Sequence, residues 1–282
     1  MVKEFTAEAI GTFIVVLFGV GAVHAAVLTG AQSGIWQVAI VWGIAIMLAI
    51  YTVGSISGAH LNPAITIALA TYGRHRWSKV VPYILAQLVG AFIGAAVLFS
   101  FFSGFINAKE SDKQVLRGEP GSIVTAMCYG EYFPNVGGIA SQAGPLDHVA
   151  LEKLQRTVTP SQACCAECLG TLILAMVIFA VTDPRNAGRP QSNLAPVFIG
   201  LTVSALISII APLTQAGFNP ARDFAPRMFA YLAGWGSVAW PGTNDWSWLT
   251  VYILSPIVGA ILGGGVYHGL LRPNASPSES RP

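Results

Sequence analysis

Two copies of Asn-Pro-Ala, at Asn62, Pro63, Ala64 and at Asn219, Pro220, Ala221, are the residues whose types and order most directly prescribe chemistry. Asparagine is a preferred helix N-cap, and proline fits the first helical position, where its missing N–H would be unpaired anyway. Each motif therefore predicts a short helix that opens at its asparagine. A helix N-terminus carries partial positive charge, so two that meet disfavour cations and hydronium between them. An asparagine amide turned into a lumen at that point would donate a hydrogen bond to a passing oxygen. One such tripeptide is weak grounds; two at equivalent places in a repeat are strong grounds.

The ionisable residues inside apolar sequence come next. Glu8 and Glu167 are functional candidates by default, because a carboxyl group within a membrane span is costly to bury. Each has two readings: a brace accepting hydrogen bonds from backbone N–H groups of an adjacent loop, or a proton-coupling group in a transporter. His60 is either a packed residue holding its loop or a proton relay. Arg222 follows the second motif directly, where a pore-lining guanidinium competes with a helix-end arginine reaching for the interface. Cys164, Cys165 and Cys168 open an apolar segment and Cys128 lies in a polar stretch. A C-x-x-C pair can mean redox or metal chemistry, but no histidine or carboxylate cluster accompanies it, and small packing residues are the simpler reading. No cofactor or metal is expected.

The elements that position these residues follow from composition. Of 282 residues 54% are hydrophobic and 10% charged, against roughly a quarter charged in soluble domains. From Phe5 to Thr29 the Asp, Glu, Lys, Arg and His set is represented by Glu8 and His24 alone, and from Gln32 to Tyr72 by His60 alone. A bilayer core of roughly 30 Å is spanned by about 20 apolar residues. Six such segments lie near 5–29, 34–54, 79–103, 162–182, 194–211 and 248–271, and two shorter ones, 62–72 and 219–231, begin at the Asn-Pro-Ala motifs. The first run is too long for the apolar core of a signal peptide and contains Glu8, so it reads as a retained helix. A net charge of +2 gives no reason to expect nucleic acid.

Lysine and arginine orient the spans. Lys3, Arg74, Arg76, Lys79, Arg185, Arg189, Arg272 and Arg281 share one side, which predicts cytoplasmic termini. The Asn274-Ala-Ser sequon then faces away from the glycosylation machinery.

The chain repeats. Ala7-Glu8-Ala9-Ile10-Gly11-Thr12 matches Ala166-Glu167-Cys168-Leu169-Gly170-Thr171, and the two Asn-Pro-Ala motifs match in nearly the same register. Val89-Gly90-Ala91 and Val258-Gly259-Ala260 extend the match. Each half carries an odd number of spans, so the halves insert in opposite senses, and paired short segments in inverted repeats point to a site near the midplane. The units are 1–106 (first repeat), 107–161 (long extracellular connection), 162–272 (second repeat) and 273–282 (tail). Gly11, Gly90, Gly94, Gly259 and Gly263 read as close helix-packing points. Non-helical backbone at membrane depth must be buried or face water. The carbonyls of Gly58, Ala59 and His60, and of Gln215, Ala216 and Gly217, are therefore expected to line the lumen.

Ser57-Gly58-Ala59-His60-Leu61-Asn62-Pro63-Ala64 and Asn219-Pro220-Ala221-Arg222-Asp223 resemble the two pore loops of the aquaporin superfamily. The likeness extends over essentially the whole chain, least in 107–161. It implies an all-α membrane fold of six transmembrane helices plus two re-entrant half-helices in two inverted repeats. It also implies a homotetramer in the plasma membrane, one pore per chain, and no enzyme activity. Asp223 after Arg222 is similar to the glycerol-facilitator branch. By the same resemblance Trp42, Ile207, Ala216 and Arg222 form a narrow extracellular filter, with an interfacial-belt role as the other reading of Trp42. Glycerol facilitators have glycine at the place of Ile207 and an aromatic at that of Ala216; water-selective members usually have histidine at the former. The Trp-Ile-Ala-Arg set looks more like plant nodulin-type channels, which pass glycerol and small hydroxylated metalloid acids. The expected activity is passive flux of glycerol and other small uncharged solutes with some water, excluding ions and protons. A water-selective channel, a metalloid-acid channel and a proton-coupled transporter are the alternatives.

Overall fold

The computed structural model describes residues 1–32, 34–240 and 246–274. No strand occurs among the described residues. Among the described residues six helices are long and apolar enough to cross a membrane: α1 (Val2–Thr29), α2 (Ile35–Ser57), α4 (Trp77–Lys113), α5 (Pro160–Thr182), α6 (Ala195–Thr214) and α8 (Ser247–Leu271). Two short helices, α3 (Pro63–Thr71) and α7 (Pro220–Ala230), lie between them.

Burial is arranged as a bilayer requires. Ile44, Leu48, Phe101, Ile209, Leu232 and Leu262 are exposed, while Glu8, Thr12, Gln87, Glu167 and Thr171 are fully buried. A water-soluble protein avoids so large an exposed apolar surface, whereas lipid accepts it and drives polar groups inward to find partners.

The packing repeats between halves. In the first half α1 lies against α2 and α4; in the second α5 lies against α6 and α8. The halves meet where α2 packs on α6, and each short helix crosses over, α3 against α8 and α7 against α4. Two glycines set how near the long helices come. A Cβ at Gly90 would overlap the Ala9 carbonyl, and one at Gly259 would overlap the Cys168 carbonyl. Gly94 and Gly263 serve the same helix pairs, but Gly11 does not: its neighbours are the Leu61 and Val53 side chains. At Gly11 the close approach is to α2, through Val53, and to the loop before α3, through Leu61.

The third span runs past the apolar segment to Lys113, so the start of the 107–161 stretch is still helical. Its residues Ala108-Lys109-Glu110 are good helix formers and need no lipid. The helix ends where Gln114 turns left-handed. The rest of the connection is ordered by short helices at 123–126, 137–140 and 148–155, closed over Tyr129, Trp235 and Ile106. Arg117 joins this cluster to α4, ion-paired with Glu110 at 2.9 Å and lying 4.4 Å over the Trp235 ring. All four cysteines are unpaired. Residues 275–282, with Arg281, most of the tail and the end of the sequon, lie outside the described residues.

Candidate pore

Each Asn-Pro-Ala motif starts a helix at its asparagine. The Asn62 side-chain oxygen accepts from the Ala64 N–H at 2.9 Å, and that of Asn219 from the Ala221 N–H at 3.0 Å. The amide ends cross: Asn62 Nδ2 donates to the Phe218 carbonyl at 2.9 Å, and Asn219 Nδ2 to the Leu61 carbonyl at 2.7 Å. These reciprocal bonds join the N-termini of α3 and α7, bringing the two positive helix ends together. A primary amide has two N–H donors, which leaves each asparagine one more for the cavity it borders.

The backbone before each asparagine alternates through left-handed conformations, with φ of 84° at Gly58, 48° at Ala59 and 54° at Leu61. The other loop mirrors it at Gln215 (61°), Ala216 (64°) and Phe218 (52°). For residues with a Cβ this costs roughly 1–2 kcal/mol each. It persists because carboxyl groups collect the N–H groups it exposes. Glu8 accepts from the His60 and Leu61 N–H groups at 2.9 and 2.8 Å, from the Ser57 hydroxyl at 2.7 Å and from Gln87 Nε2 at 2.7 Å. Glu167 accepts from the Gly217 and Phe218 N–H groups at 2.9 and 2.8 Å and from the Thr214 hydroxyl at 2.6 Å. The Tyr83 and Tyr252 hydroxyls complete the symmetry, donating to the Ser57 and Thr214 carbonyls at 2.9 and 3.1 Å. Ser57 opens the first pore-loop motif, but nothing in the sequence singles out Thr214, Gln87, Tyr83 or Tyr252, because their partners lie far along the chain.

One cavity of about 590 Å³ runs along these elements. Its wall includes Asn62 and Asn219, the loop residues Gly58, Ala59, His60, Ala216 and Gly217, and the set Trp42, Ile207, Ala216 and Arg222. Trp42 is buried on that wall rather than facing lipid. Its indole lies against Gly19, where a Cβ would overlap the ring, and the Arg222 guanidinium stands 4.4 Å over its face. The cavity is thus apolar on the Trp42, Ile207 and Ala216 sides and cationic on the Arg222 side. His60 bridges to the Thr66 hydroxyl at 3.2 Å and packs on the His75 and Tyr83 rings, contacts that hold the loop.

The side chains of Gln215 and of Asp223, the latter singled out in sequence only as a mark of the glycerol-facilitator branch, are engaged away from the cavity. Gln215 is not on the cavity wall; its side chain accepts from the Tyr132 N–H at 2.8 Å and donates to the Met127 carbonyl at 3.2 Å. Its side-chain amide is engaged by the connection, because the left-handed turn after α6 faces that way. Asp223 also points from the cavity, bonding Arg227 at 2.6 Å in a pair with no exposure. Conversely, the cavity includes Leu61 and Phe218, whose carbonyls are occupied by the crossing asparagines.

Glu131 is a site residue that sequence reasoning missed. It is buried, and its Oε1 lies 2.5 Å from Arg222 Nη1. It is the lone charged residue between Glu119 and Asp147, a faint signal that gives no hint of its partner.

The major intrinsic protein family model matches residues 1–267. The glycerol uptake facilitator protein of Pseudomonas aeruginosa is 37% identical over 280 residues, covering 98% of this chain and 92% of that relative. The glycerol uptake facilitator protein of Escherichia coli K12 is 37% identical over 265 residues, covering 94% and 86%. The propanediol uptake facilitator PduF of Citrobacter freundii is 38% identical over 268 residues, covering 95% and 91%. Among solved structures, the aquaglyceroporin of Plasmodium falciparum superposes with a TM-score of 0.78 over 96% of each chain at 24% identity, a likeness of fold.

Proposed function

The chain belongs to the major intrinsic protein family, and we propose that it is a passive membrane channel for glycerol and other small uncharged solutes, with some water permeability. The observation that carries this reading is the two-faced wall of the cavity: the apolar side chains of Trp42, Ile207 and Ala216 share it with the guanidinium of Arg222, which lies against the Trp42 ring. A polyol has a carbon edge and a hydroxyl edge, and such a wall suits both at once. Water gains little from three apolar sides. Ions would give up hydration that those sides cannot replace, and the converging N-termini of α3 and α7 repel cations. The names of the relatives, glycerol and propanediol uptake facilitators, support the same solute class.

In this reading Trp42, Ile207, Ala216 and Arg222 are the selectivity filter and Asn62 and Asn219 the midpoint donors. The carbonyls of Gly58, Ala59, His60 and Gly217 are the acceptor ladder, and Glu8 and Glu167 are the loop braces. Residues 1–106 and 162–272 act as the inverted repeats, joined by an extracellular connection. The basic residues of the α3–α4 and α5–α6 connections support cytoplasmic termini in a plasma-membrane protein. The exposed apolar helix faces suit lipid and three further copies in a homotetramer.

Stopped-flow light scattering on protein in liposomes, comparing glycerol, boric acid and water, tests the proposal. Rapid glycerol influx is expected, with Trp42 and Arg222 substitutions altering the ratio of glycerol to water. Fast water flux without solute flux would replace the solute assignment by a water-selective one, and boric acid outpacing glycerol would favour metalloid acids. Flux that follows an imposed proton gradient would replace the channel by a coupled transporter.

A further inference from the structure

Arg222 does not stand alone at the cavity wall. Its guanidinium meets the Trp42 face on one side and the Glu131 carboxyl group on another. The Glu131 contact is a charge contact without the alignment of a hydrogen bond, since Arg222 Nη1 has no hydrogen-bond partner in the protein. Glu131 itself is not on the cavity wall, so it acts on solutes through Arg222.

Its placement is fixed from the backbone. The Glu131 N–H donates to Asp223 Oδ1 at 2.7 Å, and its carbonyl accepts from Arg227 Nη2 at 2.6 Å. Asp223 and Arg227 are bonded to each other, and Arg227 also donates to the Ala239 carbonyl at 2.5 Å. A fully buried ion pair thus grips one residue of the connection by both its backbone polar groups and aims the side chain at Arg222. A surface loop residue has no such grip.

The charges then count simply. Asp223 and Arg227 cancel each other, and Glu131 is the carboxyl group in contact with Arg222 that balances its charge. Resting on the channel reading above, we infer that Glu131 is the residue that sets the charge of the filter. When it is ionised the filter is neutral and rejects small anions. When it is protonated or removed, the filter carries one net positive charge and admits them. Coulomb interaction between unit charges this close, in a partly dehydrated site, outweighs thermal energy several-fold.

The groups facing Glu131 come from three helices. On α7 they are Arg222 and Arg227, which favour its ionised form, and Asp223, which opposes it; Glu167 on α5 also opposes it. Tyr252 on α8 is coupled to it as well. Burial dominates, and the Glu131 carboxyl is pushed up to about 8. The sign follows: raising pH through that value ionises Glu131 and neutralises the filter, and lowering it leaves Arg222 uncompensated.

The test compares wild type, Glu131→Gln and Glu131→Asp in liposomes of neutral lipid, with nitrate as the probe because it stays an anion throughout. Nitrate flux is measured relative to glycerol and to water from about pH 6 to about pH 9.5, a range that brackets the Glu131 titration. Wild-type glycerol influx above protein-free liposomes tests the channel reading by itself; the nitrate-to-water ratio tests Glu131 whichever solute is correct. For wild type the ratio is expected to rise as pH falls. For Glu131→Gln it is expected to be high at every pH, at least about tenfold above wild type at the alkaline end. Glu131→Asp should restore the pH dependence. A Glu131→Gln profile identical to wild type would overturn the inference. So would loss of all flux in Glu131→Gln with Glu131→Asp unaffected, which would make the carboxylate merely structural.

Discussion

Glu8 and Glu167 hold two strained loops by the same means. Four donor groups converge on the two oxygens of Glu8, a demand that an acceptor-only carboxylate meets. Breaking that set strands buried N–H groups at about 1–3 kcal/mol each while leaving the left-handed backbone of Ala59 and Leu61 in place. With two backbone N–H groups stranded, Glu8→Ala is therefore expected to destabilise the protein by about 2–6 kcal/mol and abolish flux. Thermal unfolding in detergent checks this, and an unchanged midpoint would remove the bracing role. The repeat marked Glu8 and Glu167 as an equivalent pair, and the family resemblance implied the bracing role at both. Their donors were not legible, since Gln87 is as ordinary in sequence as any other polar residue in a helix.

At the scale of elements, helix spacing is set by backbone touching backbone. At Gly259 the obstacle to any side chain is the Cys168 carbonyl, which cannot move without shifting all of α5. Gly259→Leu is expected to force α5 and α8 apart, at about 1–3 kcal/mol or more for the overpacking, and to lower the folded yield. Gly104, in α4 with nothing near its Cβ position, is the control: Gly104→Ala should be neutral or stabilising, since alanine is the better helix former. Size-exclusion profiles and unfolding midpoints of the two variants give the comparison. Similar losses in both would mean that close approach is not what fixes the spacing. The glycines of α4 and α8 were readable as packing points, yet the sequence did not distinguish Gly11, which receives side chains of α2 and of a loop, from Gly90, which receives a helix backbone.

For the whole molecule the decisive feature is that the connection between repeats reaches back to the cavity. Tyr132 and Glu131 are tied by backbone groups to Gln215, Asp223 and Arg227. Arg227→Met leaves Asp223 buried without its cation, and breaking a buried pair costs about 3–5 kcal/mol. The variant is expected to loosen the connection and raise hydrogen exchange at 127–136 while α1 and α5 stay protected. Uniform protection across wild type and variant would show that the connection is held by other contacts.

The sequence by itself determined the membrane class, six spans, two short helices opening at Asn62 and Asn219, and the repeat that relates them. Each of these is local or periodic: apolar run length, an N-cap followed by proline, and a matching register. The four cavity residues Trp42, Ile207, Ala216 and Arg222 were reached through resemblance rather than spacing. Tertiary structure decided what spacing cannot carry, namely which side of a loop each group faces and which distant residue it meets. It turned Gln215 and Asp223 away from the cavity to hold the connection, crossed the asparagine amides onto opposite carbonyls, and brought Glu131 against Arg222. A buried charge selects its partner by distance in space once the chain has closed, and sequence separation holds no record of that distance.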